Sequence, residues 1–299
     1  IADLRIDNRA VYTGNFTAPT TAVGLDYATK LYLKFEGTDT STRIYDSALP
    51  YSSRHGDANV TVGAELDTGI TPPFGSASCL FNGSTGRITF SDSTDWDFSG
   101  GGNWTIEFQL YITNKNDATI IGHWKDDDTD RSWMIRNDTD VNQLKFEFED
   151  SGSSYNSLNF TWNPSTGQWY EVAMVRRGGT VEAYVDGTSL GTNAIGDDPI
   201  SSSVDLYIGA RNGASIEKLL DGNLKDLRIS LTDQYPTSSY TPTGEALGID
   251  QYTVLYLPFD GYDTSTIIPD YAQGASAFGL WVDDSGLEND GTQASNQPD

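Results

Sequence analysis

The 299-residue chain holds one cysteine, Cys79, two histidines, His55 and His123, and only 18 Lys and Arg against 43 Asp and Glu. A single cysteine makes no intrachain disulfide, and one thiol with two imidazoles leaves almost no donors for a zinc site or a histidine base. The net charge of −25 repels a phosphate backbone, and the few cations are scattered. Both facts argue against nucleic acid as a partner. No apolar run approaches the roughly 18 to 20 residues of a membrane helix, so no membrane span is expected. The opening IADLRIDNRA has no basic stretch followed by an apolar one, so it does not read as a signal peptide. What is present is aromatic: 12% of the residues are Phe, Trp or Tyr, which supports a globular core although only 37% are hydrophobic.

The chain also repeats itself. Asp3-Leu4-Arg5-Ile6 recurs as Asp226-Leu227-Arg228-Ile229, and Leu31-Tyr32-Leu33-Lys34-Phe35-Glu36-Gly37 recurs as Leu255-Tyr256-Leu257-Pro258-Phe259-Asp260-Gly261. Twelve of the eighteen positions from Leu31 to Ala48 are identical in the second copy. Such self-similarity at a spacing of about 223 residues marks either a duplicated strand and linker within one domain or, the reading adopted, a tandem array cut out of frame. On that reading residues 1–24 are the closing strand and linker of a preceding repeat. Residues 25–243 then form a complete unit, and residues 244–299 are a linker and the start of a following repeat. Residues 1–20 and 250–299 are expected to lie against a neighbouring chain or further copies.

Within the complete unit the apolar period is two. Trp104 to Ile112, Leu144 to Phe148 and Val181 to Val185 alternate cleanly between turn residues, and nine further short runs do so less strictly. Asp186-Gly187 and Arg177-Gly178-Gly179 have the glycines that tight hairpins require. No segment shows a helical face. A dozen short strands with one apolar side predict an all-β fold, two antiparallel sheets packed face to face.

The segments LYLKFEG, FGSASCLFNG, NWTIEFQLYI, WYEVAMVRRGGTVEAYVDG, LYIGARNG and DGNLKDLRI, in that order, resemble the laminin-G-like, concanavalin-A-type lectin/glucanase jelly-roll family over about residues 30–231. The linkers YTGNFTAPT and YPTSSYTPT are similar to those around such domains in bacteriophage virion proteins. The resemblance implies a jelly-roll β-sandwich used for glycan or protein binding, often with Ca²⁺ at one rim. It points to a non-enzymatic fibre, spike or decoration protein on a virion surface, assembled with other virion proteins or with itself and attaching to host-surface glycans. The alternative is a glycan-binding module of a secreted bacterial adhesin or enzyme. Glycosidase relatives carry a strand of the form ExDxxE, which is absent. Glu147 and Glu149 of FEFED are expected on the outer, solvated face, opposite Phe146 and Phe148.

Two sets of residues are candidate sites. Asp126, Asp128 and Asp130, in the densest acidic stretch, offer alternate oxygens of the kind Ca²⁺ takes, with a solvated acidic loop as the competing reading. Trp124, Tyr155 and Trp162 stand near loop ends, where rings stack on sugar faces; their competing reading is core packing. Asp92, Asp95 and Asp97 are read as a second cation candidate or as turn caps.

Overall fold

The computed structural model describes residues 3–7, 29–34, 55, 58–126, 130–235, 239–260, 263–265, 268, 270 and 272. The chain divides into two compact units, residues 1–53 and 54–299. In the first, β1 (Asp3–Asp7) pairs antiparallel with β2 (Thr29–Lys34), with Leu4 opposite Leu33, Arg5 opposite Tyr32 and Ile6 opposite Leu31.

The second unit begins with β3 (Asn59–Val60), β4 (Ala64–Asp67), β5 (Ser78–Asn82) and β6 (Ile88–Phe90). After a 3-10 turn at Thr94–Trp96 come β7 (Trp104–Ile112), β8 (Ala118–Lys125), β9 (Asp130–Asp138), β10 (Gln143–Glu149) and β11 (Tyr155–Thr161). The chain continues through β12 (Trp169–Arg177), β13 (Thr180–Val185), β14 (Thr188–Ala194) and β15 (Leu206–Ile208). It ends its described strands with β16 (Arg211–Asn212), β17 (Ile216–Glu217), β18 (Asp221–Ser230) and β19 (Thr253–Leu257).

One sheet runs β11-β10-β9-β8-β15-β6-β3, with β16 and β17 beside β8. The other runs β14-β13-β12-β7-β18-β5-β4, with β19 also paired to β18. All pairings are antiparallel except the single bridge of Asn212 to Lys125. There is no α-helix among the described residues. The unit is therefore the expected all-β, two-sheet sandwich.

The alternating residues build its core. Ile106, Phe108 and Leu110 of β7 join Leu144, Phe146 and Phe148 of β10 in one buried cluster. The ring of Phe98 stacks between Trp104 at 5.0 Å and Trp133 at 4.8 Å, and Trp133 Nε1 donates to the Trp96 carbonyl at 2.8 Å, so the tryptophan's polar edge is satisfied inside the core. Cys79 is buried there, and burial pushes its thiol pKa up, which leaves it a small packing residue. The hairpins form where expected. Asp186 and Gly187 both take positive φ, 49° and 73°, in the two-residue turn from β13 to β14.

The outer side of the β7-β18 sheet is buried as well, which period-two alternation does not foretell. Thr105, Glu107 and Gln109 of β7 lie on that side and are buried. The chain after β18 covers them. Tyr235 and Tyr240 stack at 4.0 Å and pack on Ala173, Val175 and Tyr184, and a side chain at Gly187 would come 2.2 Å from the Tyr240 carbonyl oxygen. The segment read from sequence as a linker is, at these residues, a covering layer.

β18 brings three charges into this buried layer. Arg228 donates to Glu107 Oε1 at 2.8 Å (Nε) and 2.5 Å (Nη2) and to the Gly248 carbonyl, and Tyr235 donates its hydroxyl to the same carboxylate. Asp226, in a bulge with φ of 59°, accepts from the Tyr256 hydroxyl and the Leu247 amide, both at 2.5 Å. Lys225 Nζ lies 2.6 Å from Asp260. A second clamp holds the residues beyond β19. His55 places Nδ1 2.8 Å from buried Asp270 and Nε2 2.8 Å from Asp95. Asp270 also accepts the amides of Tyr256 and Ala272, and Leu66 exchanges backbone hydrogen bonds with Thr264 and Ser265.

Breaking one side of the Glu107–Arg228 pair leaves the other charge buried alone. We expect Arg228→Met to lower the unfolding free energy by about 3 kcal/mol or more, and the double variant Glu107→Leu/Arg228→Met to recover most of it. Denaturant unfolding of both checks this.

The two clamps share a pH dependence. Burial pushes the Asp226 carboxyl up to about 6, against the hydrogen bonds from Tyr256 and Leu247 that lower it. Burial alone would lower His55, but the hydrogen bonds and charges of Asp270 and Asp95 raise it above its ordinary value. Between about pH 4 and 6 a detached Asp226 loses its proton first, so the attached state loses stability as pH rises through that window. Above about pH 6.5 a detached His55 loses its proton first, and the attached state again loses stability as pH rises through the clamped ring's raised value. Hydrogen exchange of the Leu255 and Leu257 amides, corrected for intrinsic rates, should show protection falling between about pH 4 and 6 and falling further as pH rises above about 6.5. Asp226→Asn should flatten the lower part and His55→Gln the upper part.

Candidate functional site

The β11-β3 sheet turns Trp133, Ile135, Phe146 and Phe148 inward, so its outer face carries the alternate residues. Met134 stands opposite Glu147 and Arg136 opposite Lys145 on β9 and β10, while Tyr155 of β11 stands opposite Glu149. A bulge at β8 and β9 sets Trp124 opposite Arg131, and Gly122 lies between Met134 and Tyr207 of β15. A side chain at Gly122 would meet Met134 Cβ at 2.7 Å, so this position stays a low point of the face between larger neighbours.

Glu147 and Glu149 are on the outer face, as alternation requires, but they are not solvated. Glu147 is only 1% exposed and Glu149 is also buried. The reason is electrostatic. Arg136 folds over Glu147 with Nε to Oε2 at 3.0 Å and Nη2 to Oε1 at 2.7 Å, a bidentate pair, and reaches Asp117 at 2.6 Å through Nη1. Burial alone would lower the guanidinium's pKa, but the hydrogen bond and charge of Glu147, with Asp117 and Asp138, hold it above its usual range. Arg131 comes within 3.8 Å of Glu149. The phenol of Tyr155 is pushed up, first by burial and then by its hydrogen bond to Glu147.

The three aromatic candidates separate. Trp124 is 2% exposed and Trp162 is 8% exposed, whereas Tyr155 is 53% exposed. Trp162 packs edge-on against Tyr170 at 5.3 Å as part of the core. Trp124 and Tyr155 come together on the outer face, with their rings edge to face at 6.1 Å. Trp124 Nε1 is buried without a hydrogen-bond partner among the described residues. The ring a ligand can reach is therefore Tyr155, supported from below by Trp124.

Of the acidic candidates, Asp128 lies outside the described residues. Asp126 accepts from Arg131 Nε at 2.9 Å and lies 3.7 Å from Arg211 Nη2. Two guanidinium groups oppose a cation at that carboxylate, so it is a poor fit to a Ca²⁺ ligand set. Asp130 Oδ1 is 3.5 Å from the Ser202 hydroxyl and the Ser203 amide. Three other carboxylates, Asp117, Asp138 and Asp140, gather within reach of one point, but Arg136, Lys145 and Lys218 already pair with the first two. Asp92, Asp95 and Asp97 hold His123, His55 and the backbone of Ser99 respectively.

Sequence reasoning did not single out Arg131, Arg136 or Tyr207. The available signal was the alternation itself, which sets Tyr207 between inward Leu206 and Ile208 and Arg136 between inward Ile135 and buried Asn137. Their cross-strand partners come only from the register.

The two aromatic roles differ in their stability cost. Trp124→Ala should lower unfolding stability by about 3 kcal/mol, as for other buried large-to-small changes. Tyr155→Ala should stay within about 1 kcal/mol of the parent, since its ring is half exposed. Parallel denaturant melts decide this.

No curated protein matches the chain. Among solved structures, the binding domain of botulinum neurotoxin serotype G is similar at 20% identity and a TM-score of 0.47, over 68% of this chain and 47% of that one. A putative carbohydrate binding protein from Bacteroides ovatus is similar at 18% identity and 0.47, over 72% and 55%. Domain 4 of an extracellular arabinanase from Geobacillus stearothermophilus, in complex with arabinotriose, is similar at 17% identity and 0.46, over 62% and 86%. The chain thus spans about half the length of the first two. A family model described as the concanavalin A-like lectin/glucanases superfamily, a laminin-G type, matches residues 82–233, from the end of β5 to just beyond β18. With half of its length inside that match, the chain belongs to the concanavalin A-like lectin/glucanases superfamily.

Proposed function

We propose that the chain is a non-enzymatic glycan-binding module and that the outer face of the β11-β3 sheet is its binding surface. The observation that carries this is the exposed Tyr155 ring resting on Trp124, whose indole N–H has no partner among the described residues, beside the cations Arg131 and Arg136. A pyranose presents a C–H face to a ring such as Tyr155 while its hydroxyls reach fixed charged groups. The carbohydrate named for the Bacteroides ovatus and Geobacillus structures is consistent with this chemistry on a related fold. Hydrolysis has less support. Glu147 is locked in a bidentate pair with Arg136, which leaves it neither free as a nucleophile nor poised as an acid.

The phage-like linkers and the acidic composition support our further reading of this module as a fibre, spike or decoration protein of a virion, outside the cell and among other virion proteins. A glycan array run with the whole chain, with and without Ca²⁺, tests the binding. We expect a sugar-dependent signal that Tyr155→Ala weakens about tenfold while leaving the fold intact, equivalent to about 1.4 kcal/mol. An array with no sugar-dependent signal, or one indifferent to Tyr155→Ala, would remove this reading. Dependence on Ca²⁺ would return Asp126, Asp128 and Asp130 to consideration as a cation site. Immunogold labelling of particles tests the location.

A further inference from the structure

The repeat seen in the sequence has a counterpart in the register. Ile6 faces Leu31 and Arg5 faces Tyr32; Ile229 faces Leu255 and Arg228 faces Tyr256. Even the irregularity recurs: after Ile6 and after Ile229 the pairing skips one residue of the partner, Lys30 and Val254, to reach Thr29 and Thr253. Strands β1 and β18 are thus equivalent acceptors, and β2 and β19 equivalent donors.

The seat filled by residues 253–272 is specific. Leu255, Leu257, Phe259 and Ile268 enter the core cluster, Tyr256 bonds Asp226, and Asp270 bonds His55. At the matching positions of the first copy stand Leu31, Leu33, Phe35, Ile44, Tyr32 and Asp46, every one identical. Thr264 and Ser265, which bond the backbone of Leu66, match Thr40 and Ser41, and Asp263, which accepts the Thr68 amide, matches Asp39. Asp260, the partner of Lys225, matches Glu36 and keeps its charge. Among the described buried positions of 253–272 the one mismatch is Val254, where the first copy has Lys30. The other described differences, Pro258 to Lys34 and Asp260 to Glu36, fall outside the buried set.

We propose that residues 29–48 of a second copy of this chain exchange into the seat on β18, while the displaced residues 253–272 pair with β1 of that second copy. The exchange trades a β1-β2 and a β18-β19 pairing for two pairings in the same register, so no strand is left open and few contacts change in kind. That balance is what makes exchange of identical elements a low-cost route to assembly. The donor and acceptor surfaces differ, so the contact is of the head-to-tail type that extends into chains unless its rotation closes. This inference stands apart from the glycan-binding reading and survives its failure.

The test uses the full chain in two mass-labelled forms, mixed and followed by native mass spectrometry and sedimentation over a range of concentrations. Mixed-mass oligomers that grow with concentration are expected. Leu31→Asp/Leu33→Asp should abolish them while the β19-filled sandwich keeps its denaturant midpoint, and Leu255→Asp/Leu257→Asp should instead require the first-copy segment to fold. Should that second variant fail to fold, a fluorescent peptide of residues 27–48 still reports on the seat. It should bind the full chain, be displaced by an unlabelled peptide of residues 251–272, and bind about tenfold more tightly with Lys30→Val, which restores a buried apolar side chain. A chain that stays monomeric at all concentrations and ignores the peptide overturns the proposal. So do oligomers that persist in Leu31→Asp/Leu33→Asp.

Discussion

Three charged side chains on one strand, Lys225, Asp226 and Arg228 of β18, are buried, and a buried charge has to find a partner or neutralise. The partners come from different parts of the chain: Glu107 from β7, Tyr256 from β19, Asp260 just beyond it, the Leu247 amide and the Gly248 carbonyl from the stretch between. Satisfying β18 therefore fixes where residues 247–260 must lie. The covering layer of Tyr235 and Tyr240 over Tyr184 follows from that placement, and it explains why β7 is buried on both faces although only one is apolar.

The opposite sheet solves a similar problem with a different result. Its outer face also buries charge, but Arg136 is shared by Glu147, Asp117 and Asp138, all within the sheet and its adjoining loop. No covering segment is needed among the described residues, and Tyr155 is left half exposed over Trp124. One face is thus closed by its own chain, whereas among the described residues the other is closed by ion pairs and rings. That asymmetry is what makes the second face the better candidate for a ligand.

Much of this was legible in the residues. Alternation located β7, β10 and β13 to within a residue or two, and Asp186-Gly187 located a hairpin, because both signals are local. The short β3, β16 and β17 and the glycine-interrupted β14 have too few alternating residues to register. Burial on the outer faces was not legible, since it depends on pairings between residues far apart: Arg228 and Glu107 are 121 positions apart, and Arg177 reaches across 58 to the Tyr235 carbonyl. For the same reason Trp124, Tyr155 and Trp162 looked alike in sequence and separate only in the fold. The repeat, in contrast, was visible from the start, and its meaning sharpened when both copies showed the same register and the same bulge.

The order of the strands has a consequence for synthesis. β5 ends at Asn82, yet its neighbour β18 begins at Asp221, and the pairing is tied by Asn223 to Ser78 across 145 positions. At about 5–20 residues per second, a ribosome takes on the order of ten seconds between the two. During that interval the edges of β5 and β7 that β18 will cover stand open, with the apolar faces of both strands already made. The sandwich is completed only once its closing strand is made, and that strand is the one that carries the charges.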